Sequence, residues 1–274
     1  MRNAPHILLN TPDIEIWPGG LLRARSNDDA RVLARATHVL RRKHDGRYLA
    51  AQLRGGLMPL VTRLADEPGI DFALTALEAL RSQPSRIPPP SGSLPLHQLQ
   101  LHLQQLDLDA DAYAARTGLP LVAEPVHLHL AGFDRYRRPL WLTRGAARGW
   151  QRMQQAAAGD GVALDAISGY RSHDYQLGIF ERKLARGLSV DEILTVNAAP
   201  GYSEHHGGDA LDISTPGEPP AEESFEHTAG FAWLQRHAAG FGFHMSYPRD
   251  NPHGIIYEPW HWCYRRNENA TARG

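Results

Sequence analysis

The spacing of apolar residues in the first part of the chain favours helices. From Ala30 to Ala65, Leu, Ala and Arg recur with loose helical spacing, which is interrupted at His44-Asp45-Gly46 and at Gly55-Gly56. Between Asp71 and Arg81 the apolar residues fall largely on one helical face, which predicts an amphipathic helix. These residues are Phe72, Leu74, Leu77 and Leu80. We therefore expect residues 1–85 to form a small, mixed and mainly helical region.

A Pro/Ser-rich stretch follows this region. Residues 82–95 read SQPSRIPPPSGSLP, a composition typical of a linker. Helical spacing resumes from His97 to Leu106, and Asp109 to Gly118 predicts a short helix that ends at its glycine. We interpret residues 86–123 as a linker with short helices.

From Glu124 onward, strand and helix patterns alternate. Val126–Leu130 alternates like a half-buried strand, and Leu140–Leu142 is a candidate partner. Thr143 is placed to cap a helix over Arg144–Ala158, and Val162–Ser168 follows as a core strand. This order of elements indicates an α+β domain over residues 124–268.

The rest of this domain continues the alternation. Two further helices are expected, and the second opens with Ser189 and Glu192 in capping-box register. Asp209–Ser214 predicts a strand and Phe225–Ala239 a helix. The last elements, residues 242–247 and 255–264, have a β pattern.

Composition and charge argue against several classes of function. The formal net charge of −1 gives no electrostatic reason to expect binding to nucleic acid. No apolar run approaches the roughly 20 residues that span a bilayer, and the N-terminus lacks the features of a signal peptide. We expect a cytoplasmic protein, or a periplasmic or extracellular one if a leader was removed. The single cysteine, Cys263, excludes an intramolecular disulfide and a thiolate zinc knuckle, so a metal would be held mainly by nitrogen and oxygen ligands.

The chemistry is concentrated in the segment from Ser203 to Asp212, which reads SEHHGGDALD. Gly207-Gly208 permits a tight reversal, which would return His205 to the side of Asp212. An imidazole and a carboxylate in one cavity suit two ligands of a tetrahedral zinc ion, and a catalytic site needs a third.

A third ligand and a base are available near the end of the chain. Glu258 and His261 are three residues apart, so a regular strand would place them on opposite faces. Pro259 argues against a regular strand, and a bend could turn both side chains inward. Glu258 would then take a proton from a metal-activated water, and Arg171 is a candidate partner for the oxyanion.

These residues resemble a known family. Ser203-x-His205-x-x-Gly208-x-Ala210-x-Asp212 matches the SxHxxGxAxD signature of the VanY-type D-alanyl-D-alanine carboxypeptidases. Glu258-x-x-His261, and the sequence SGYRS at 168–172 followed by Gln176, resemble the other two blocks of the family in the same order.

The resemblance implies the α+β fold shared by lysostaphin-type peptidases, D-Ala-D-Ala metallopeptidases and hedgehog signalling domains. It implies zinc held by His205, Asp212 and His261, with Glu258 as general base. It also implies that Arg171 polarises the substrate carbonyl and that Ser203 contacts the substrate; Gln176 is a candidate for lining the same pocket. We expect a metallo-carboxypeptidase that releases the terminal D-alanine of peptidoglycan stem peptides.

Several alternatives stay open at this point. The same chemistry would serve an L,D-carboxypeptidase or an endopeptidase acting on muropeptides, and loss of catalysis would leave a zinc-stabilised binding module. His206 competes with His205 as a ligand, although it lies one residue off the signature. Individually, the site residues also have structural interpretations as a core histidine, a cap, a surface acid, a salt-bridge arginine or a turn serine. The sequence does not indicate an oligomeric state.

Overall fold

A computed structural model of the protein describes residues 6–82, 92–96 and 98–265. The chain forms two compact units. Among the described residues, the first unit extends to Pro95 and includes Glu124–His129, and the second comprises Leu96–Ala123 and continues from Leu130. Helices and strands are interspersed along both, which confirms the α+β class.

The first unit is built on an antiparallel sheet. Its strands are β1 (Ile7–Asn10), β2 (Ile14–Pro18), β3 (His38–Arg42), β4 (Tyr48–Leu53), β5 (Gly56–Pro59) and the first half of β6 (His127–Phe133). Their order is β5-β4-β3-β2-β1-β6. Two helices accompany them, α1 (Asn27–Leu33) and α2 (Ile70–Ser82), with a short 3-10 helix at Leu64–Asp66.

The prediction of a mainly helical N-terminal region is wrong. The interval from Ala30 to Ala65 contains the strands β3, β4 and β5. The two glycine-containing interruptions of the helical spacing are hairpin connections: Gly46 has φ of 70° and Gly56 has φ of 135°. An Asp-Gly or Gly-Gly pair between apolar runs is a signal for a β-hairpin, and it outweighs the loose helical spacing.

Helix α2 forms close to the predicted bounds, but its buried face differs from the prediction. Ile70, Ala73 and Leu77 are buried, whereas Phe72 is 69% exposed. The helix packs on the sheet residues Leu9, Ile14, Ile16, Leu40 and Leu49.

A buried ion pair lies in the first unit. Lys43 Nζ is 2.5 Å from Glu124 Oε2, and the lysine side chain is fully buried. Because a buried charge is stable only with its partner, this pair connects the segment at Glu124 to the end of β3.

The second unit contains the rest of the secondary structure. Its helices are α3 (Leu99–Gln105), α4 (Ala110–Thr117), α5 (Arg144–Gly159), α6 (His173–Leu184), α7 (Val190–Leu194) and α8 (Ala229–His237). Its strands are the second half of β6, then β7 (Pro139–Leu142), β8 (Asp165–Ser168), β9 (Ala210–Ser214), β10 (Phe243–Met245) and β11 (His261–Tyr264). Short 3-10 helices cover Glu204–Gly207, Glu223–His227 and Ala238–Phe241.

A four-stranded antiparallel sheet in the order β10-β11-β9-β8 organises this unit. On one face, Leu211 and Ile213 of β9 pack in a cluster with Trp150 and Met153 of α5. Alternation along β9, which was predicted as a strand, therefore turns Asp212 to the opposite face.

Two predicted helix starts agree with the structure. The Thr143 side chain accepts a hydrogen bond from the Ala146 amide at the start of α5. Ser189 and Glu192 form a complete capping box at α7. These local signals involve residues three apart, so the sequence alone determines them.

The predicted linker over 86–123 differs from the structure in its second part. Residues 83–91, which carry most of the Pro/Ser-rich stretch, lie outside the described residues. The two predicted short helices form, but they pack inside the second unit. Leu99, Leu103, Tyr113 and Leu119 share an apolar cluster with Phe180 and other residues of α6 and α7.

Candidate metal centre

Strand register brings Asp212 and His261 together. In the antiparallel pairing of β11 with β9, His261 lies directly opposite Asp212. His261 Nδ1 is 3.2 Å from Asp212 Oδ1. Two residues 49 positions apart in sequence thus meet as a cross-strand pair.

His205 reaches the same place through a reversal of the chain. It lies in the 3-10 helix Glu204–Gly207, which ends at Gly208 with φ of 72°. This left-handed conformation suits glycine. His205 Nε2 lies 3.2 Å from Asp212 Oδ1, and ligand atoms of all three residues lie within 4.8 Å of one another. The structure therefore brings together His205, Asp212 and His261.

The protonation state of His205 leaves one nitrogen without a hydrogen. Its Nδ1 is 2.7 Å from the carbonyl oxygen of Gly169, which can only accept, so Nδ1 carries the proton. Burial, with a further effect of Arg171, lowers the pKa of His205 to about 4, so the ring is neutral at pH 7. Its Nε2 is buried and has no hydrogen-bond partner among the described residues.

This arrangement fits a cation. The Nε2 lone pair faces a carboxylate oxygen across 3.2 Å, and two acceptors at that distance are stable only with a positive charge between them. In a tetrahedral site with bonds of about 2.0–2.2 Å, ligand atoms are about 3.3–3.6 Å apart. Two imidazoles and one carboxylate are also a donor set that zinc accepts.

Glu204, which the sequence motifs do not single out, completes the surroundings of His261. Its Oε2 is 2.9 Å from His261 Nε2. Burial raises the pKa of Glu204, but the hydrogen bond from His261, the charge of His261 and smaller effects of Ser246 and Arg265 together outweigh burial and lower the pKa to about 2. The carboxylate therefore holds a proton on Nε2, which directs the Nδ1 lone pair to the metal position.

The pKa of His261 itself reflects the two carboxylates beside it. Burial lowers this pKa, but the hydrogen bonds with Asp212 and Glu204 and the charges of these two carboxylates together outweigh burial and raise the pKa to about 10. Without a cation, His261 is therefore doubly protonated at pH 7.

A turn explains how Glu258 and His261 both face the site. The His261 amide donates to the Glu258 carbonyl oxygen across Pro259 and Trp260, so the chain bends as the sequence analysis expected. Glu258 is buried, and its Oε2 is 3.9 Å from His261 Nδ1. Burial raises the pKa of Glu258 to about 7, which suits a group that takes up and releases a proton near neutrality.

Arg171 lies beside the ligands. Its Nη2 is 3.4 Å from Asp212 Oδ2, the carboxylate oxygen that does not face the histidines. Its Nε is buried and has no hydrogen-bond partner in the described part of the chain. The guanidinium is thus both an ion-pair partner of Asp212 and a donor with unused capacity.

A cavity of about 230 Å³ opens onto these residues. The predicted substrate residues Ser203 and Gln176 line it, together with Arg171, Glu258 and the three candidate ligands. Gln176 Nε2 donates to the carbonyl oxygen of Ala198, and its Oε1 has no partner among the described residues. The predicted site residues therefore converge on one pocket.

His206 has a different role from His205. Its Nδ1 donates to the carbonyl oxygen of Arg171 at 2.7 Å, and its Nε2 accepts from the Gly201 amide at 3.1 Å. Both ring nitrogens are occupied, so His206 stabilises the backbone behind the site. Cys263 is a buried free thiol, as expected for a small apolar residue.

Comparison with known proteins gives consistent matches for this part of the chain. Residues 139–267 match the family model VanY, described as D-alanyl-D-alanine carboxypeptidase. The "Putative carboxypeptidase YodJ" of Bacillus subtilis is 35% identical, over 48% of this chain and 49% of that protein. A bifunctional D-Ala-D-Ala dipeptidase and carboxypeptidase of Enterococcus gallinarum is 31% identical, over 52% of this chain and 75% of that protein.

Among solved structures, the LdcB LD-carboxypeptidase is 34% identical with a TM-score of 0.44, covering 47% of this chain and 61% of that one. The chain spans about half the length of the first curated relatives that it matches. None of the helices in the described ranges has the length and hydropathy that crossing a bilayer requires.

Proposed function

Because the chain belongs to the VanY family of D-alanyl-D-alanine carboxypeptidases, we propose that it is a zinc carboxypeptidase that removes the terminal D-alanine of peptidoglycan stem peptides. The observation that carries this proposal is the unprotonated His205 Nε2 facing Asp212 Oδ1, with the buried carboxyl group of Glu258 nearby. These groups supply a metal position and a proton acceptor in one pocket.

A zinc ion held by His205, Asp212 and His261 would lower the pKa of a water molecule and polarise the scissile carbonyl group. Glu258 accepts the proton of the attacking water and then donates it to the nitrogen of the departing D-alanine. Its pKa of about 7 suits both transfers.

Arg171 stabilises the negative charge that develops on the carbonyl oxygen. Its ion pair with Asp212 fixes the guanidinium, and its unpartnered Nε shows that its donors are not all used within the protein. The Ser203 hydroxyl and the Gln176 amide oxygen provide polar contacts for the substrate backbone.

The test uses synthetic stem peptides and the purified protein with its zinc content measured. We expect free D-alanine from a pentapeptide that ends in D-Ala-D-Ala, and loss of this release in Glu258→Ala. Glu181→Ala removes an exposed carboxylate on α6 and serves as the matched control that keeps activity. Removal of zinc by a chelator should abolish the release and added zinc should restore it.

Other outcomes would change the assignment. Release only from a tetrapeptide that ends in a single D-alanine would favour an L,D-carboxypeptidase, and cleavage only of cross-linked peptides would favour an endopeptidase. A zinc-loaded protein that cleaves none of these substrates would be a binding module.

A further inference from the structure

The pocket contains a second cation that the proposed mechanism does not use. Lys183 lies in the last turn of α6 and lines the cavity together with Arg171 and Glu258. Its side chain is half-buried, and its Nζ donates to Asn197 Oδ1 at 2.5 Å. Asn197 lines the same cavity, so the ammonium group is held in place at the pocket wall.

Two other polar groups of the pocket, Gln176 and Arg171, are less suited than Lys183 to binding an anion. Gln176 donates through Nε2 to the carbonyl oxygen of Ala198, and its Oε1, which has no partner among the described residues, is an acceptor that would repel a carboxylate. Arg171 is paired with Asp212 and is directed to the metal side of the pocket. Of the two basic side chains, Arg171 and Lys183, that line this pocket, Lys183 is therefore the one available to bind a negatively charged group of a ligand.

The positive charge of Lys183 is only partly compensated by the protein. In the described ranges no carboxylate forms an ion pair with Lys183, and the ammonium group donates to the neutral side chain of Asn197. Burial, followed by the charges of Arg171 and Arg186, lowers the pKa of Lys183, although Glu258 acts in the opposite direction. A bound anion would relieve this excess of positive charge.

A carboxypeptidase substrate brings such an anion. The group released is an amino acid with a free carboxylate, which must enter the pocket beyond the scissile bond. We propose that Lys183, positioned by Asn197, binds the C-terminal carboxylate of the substrate and so selects peptides with a free C-terminus. This inference rests on the proposed function, and it assigns Lys183 to substrate recognition.

The test compares two ligands that differ only at the C-terminus. Diacetyl-L-Lys-D-Ala-D-Ala carries one carboxylate, and its C-terminal amide carries none. Calorimetric binding is measured in a zinc-loaded Glu258→Ala background, with and without Lys183→Met. We expect Lys183→Met to weaken binding of the acid about tenfold or more and to leave binding of the amide within about twofold.

Two further variants control for charge and for folding. Lys183→Arg keeps a cation at this position and should recover most of the preference for the acid. Arg186→Met removes an exposed cation near the same helix end and should leave the acid-to-amide ratio within about twofold. Circular dichroism establishes that each variant is folded.

Distinct results separate the two proposals. If Lys183→Met leaves the ratio of acid affinity to amide affinity unchanged, Lys183 does not bind the C-terminal carboxylate. An effect seen only with stem peptides that carry additional carboxylates would overturn this role too, because the cation would then bind another group. Absence of D-alanine release by the wild-type protein would instead refute the proposed function, whatever the binding ratio.

Discussion

Replacement of Glu204 by alanine should weaken zinc binding without touching a ligand. In the wild-type protein, Glu204 Oε2 accepts the Nε2 hydrogen of His261 at 2.9 Å, so the hydrogen that zinc displaces is the one on Nδ1. Without Glu204, a neutral His261 can place its hydrogen on Nδ1 and donate it to Asp212 Oδ1, 3.2 Å away. Zinc binding at Nδ1 then requires the tautomer of His261 that carries its hydrogen on Nε2. In the variant, Glu204 is no longer there to accept this hydrogen.

The size of the effect follows from the burial of this nitrogen. The His261 side chain is only 3% exposed, so Nε2 cannot exchange Glu204 for bulk water. A buried donor without an acceptor costs about 1–3 kcal/mol, which corresponds to about 5- to 150-fold in zinc affinity. Partners of this kind typically contribute about 10- to 100-fold, in the same range.

The assay is competition for zinc with a chelator of known affinity. Glu204→Ala should show the loss, whereas Glu204→Gln retains a carbonyl oxygen and should lose less than about tenfold. Glu181→Ala removes an exposed carboxylate outside the site and should match the wild type. If Glu204→Ala binds zinc as tightly as the wild type, Glu204 does not orient His261 and the reasoning is wrong.

Three further predictions concern other parts of the structure. Lys43→Ala removes the buried cation that faces the carboxylate of Glu124 and should lower the free energy of unfolding by about 3–5 kcal/mol in urea titrations; a loss below about 1 kcal/mol would contradict the burial of the pair. Gly208→Ala forces a left-handed φ of 72° on alanine and should cost about 1–2 kcal/mol of stability and weaken zinc binding through His205; unchanged stability would show that the turn is not strained. Zinc binding at about pH 8 should release about one proton, because His261 with a pKa of about 10 must lose one while His205 with a pKa of about 4 has none to lose. The apparent zinc affinity should accordingly rise as pH increases toward 10, and calorimetry in buffers of different ionisation enthalpy that detects no proton release would refute this protonation state.

The second unit could be predicted well because its signals are local. Thr143 caps its helix, the capping box at Ser189 forms, and alternation along β9 turns Asp212 away from the apolar cluster. The reversal at Gly208 and the bend at Pro259 were both expected from residue type. These features depend on neighbours within a few residues, which the sequence displays directly.

The errors arose where spacing was ambiguous or contacts were distant. Asp45-Gly46 is compatible with a helix break and with a hairpin, and the choice depended on whether the flanking runs were strands. Glu204 and Lys183 were missed because nothing in their immediate sequence shows that they face His261 or the cavity. Such contacts follow from the packing of elements that are far apart along the chain.

The central claim is that Glu258 acts as the base of a zinc carboxypeptidase. The most direct measurement is D-alanine release from a pentapeptide stem by wild-type and Glu258→Gln proteins that contain equal amounts of zinc. The account predicts release by the wild type and a loss of at least about a hundredfold in the variant, with zinc affinity unchanged. Equal release by both proteins at equal zinc content would contradict it.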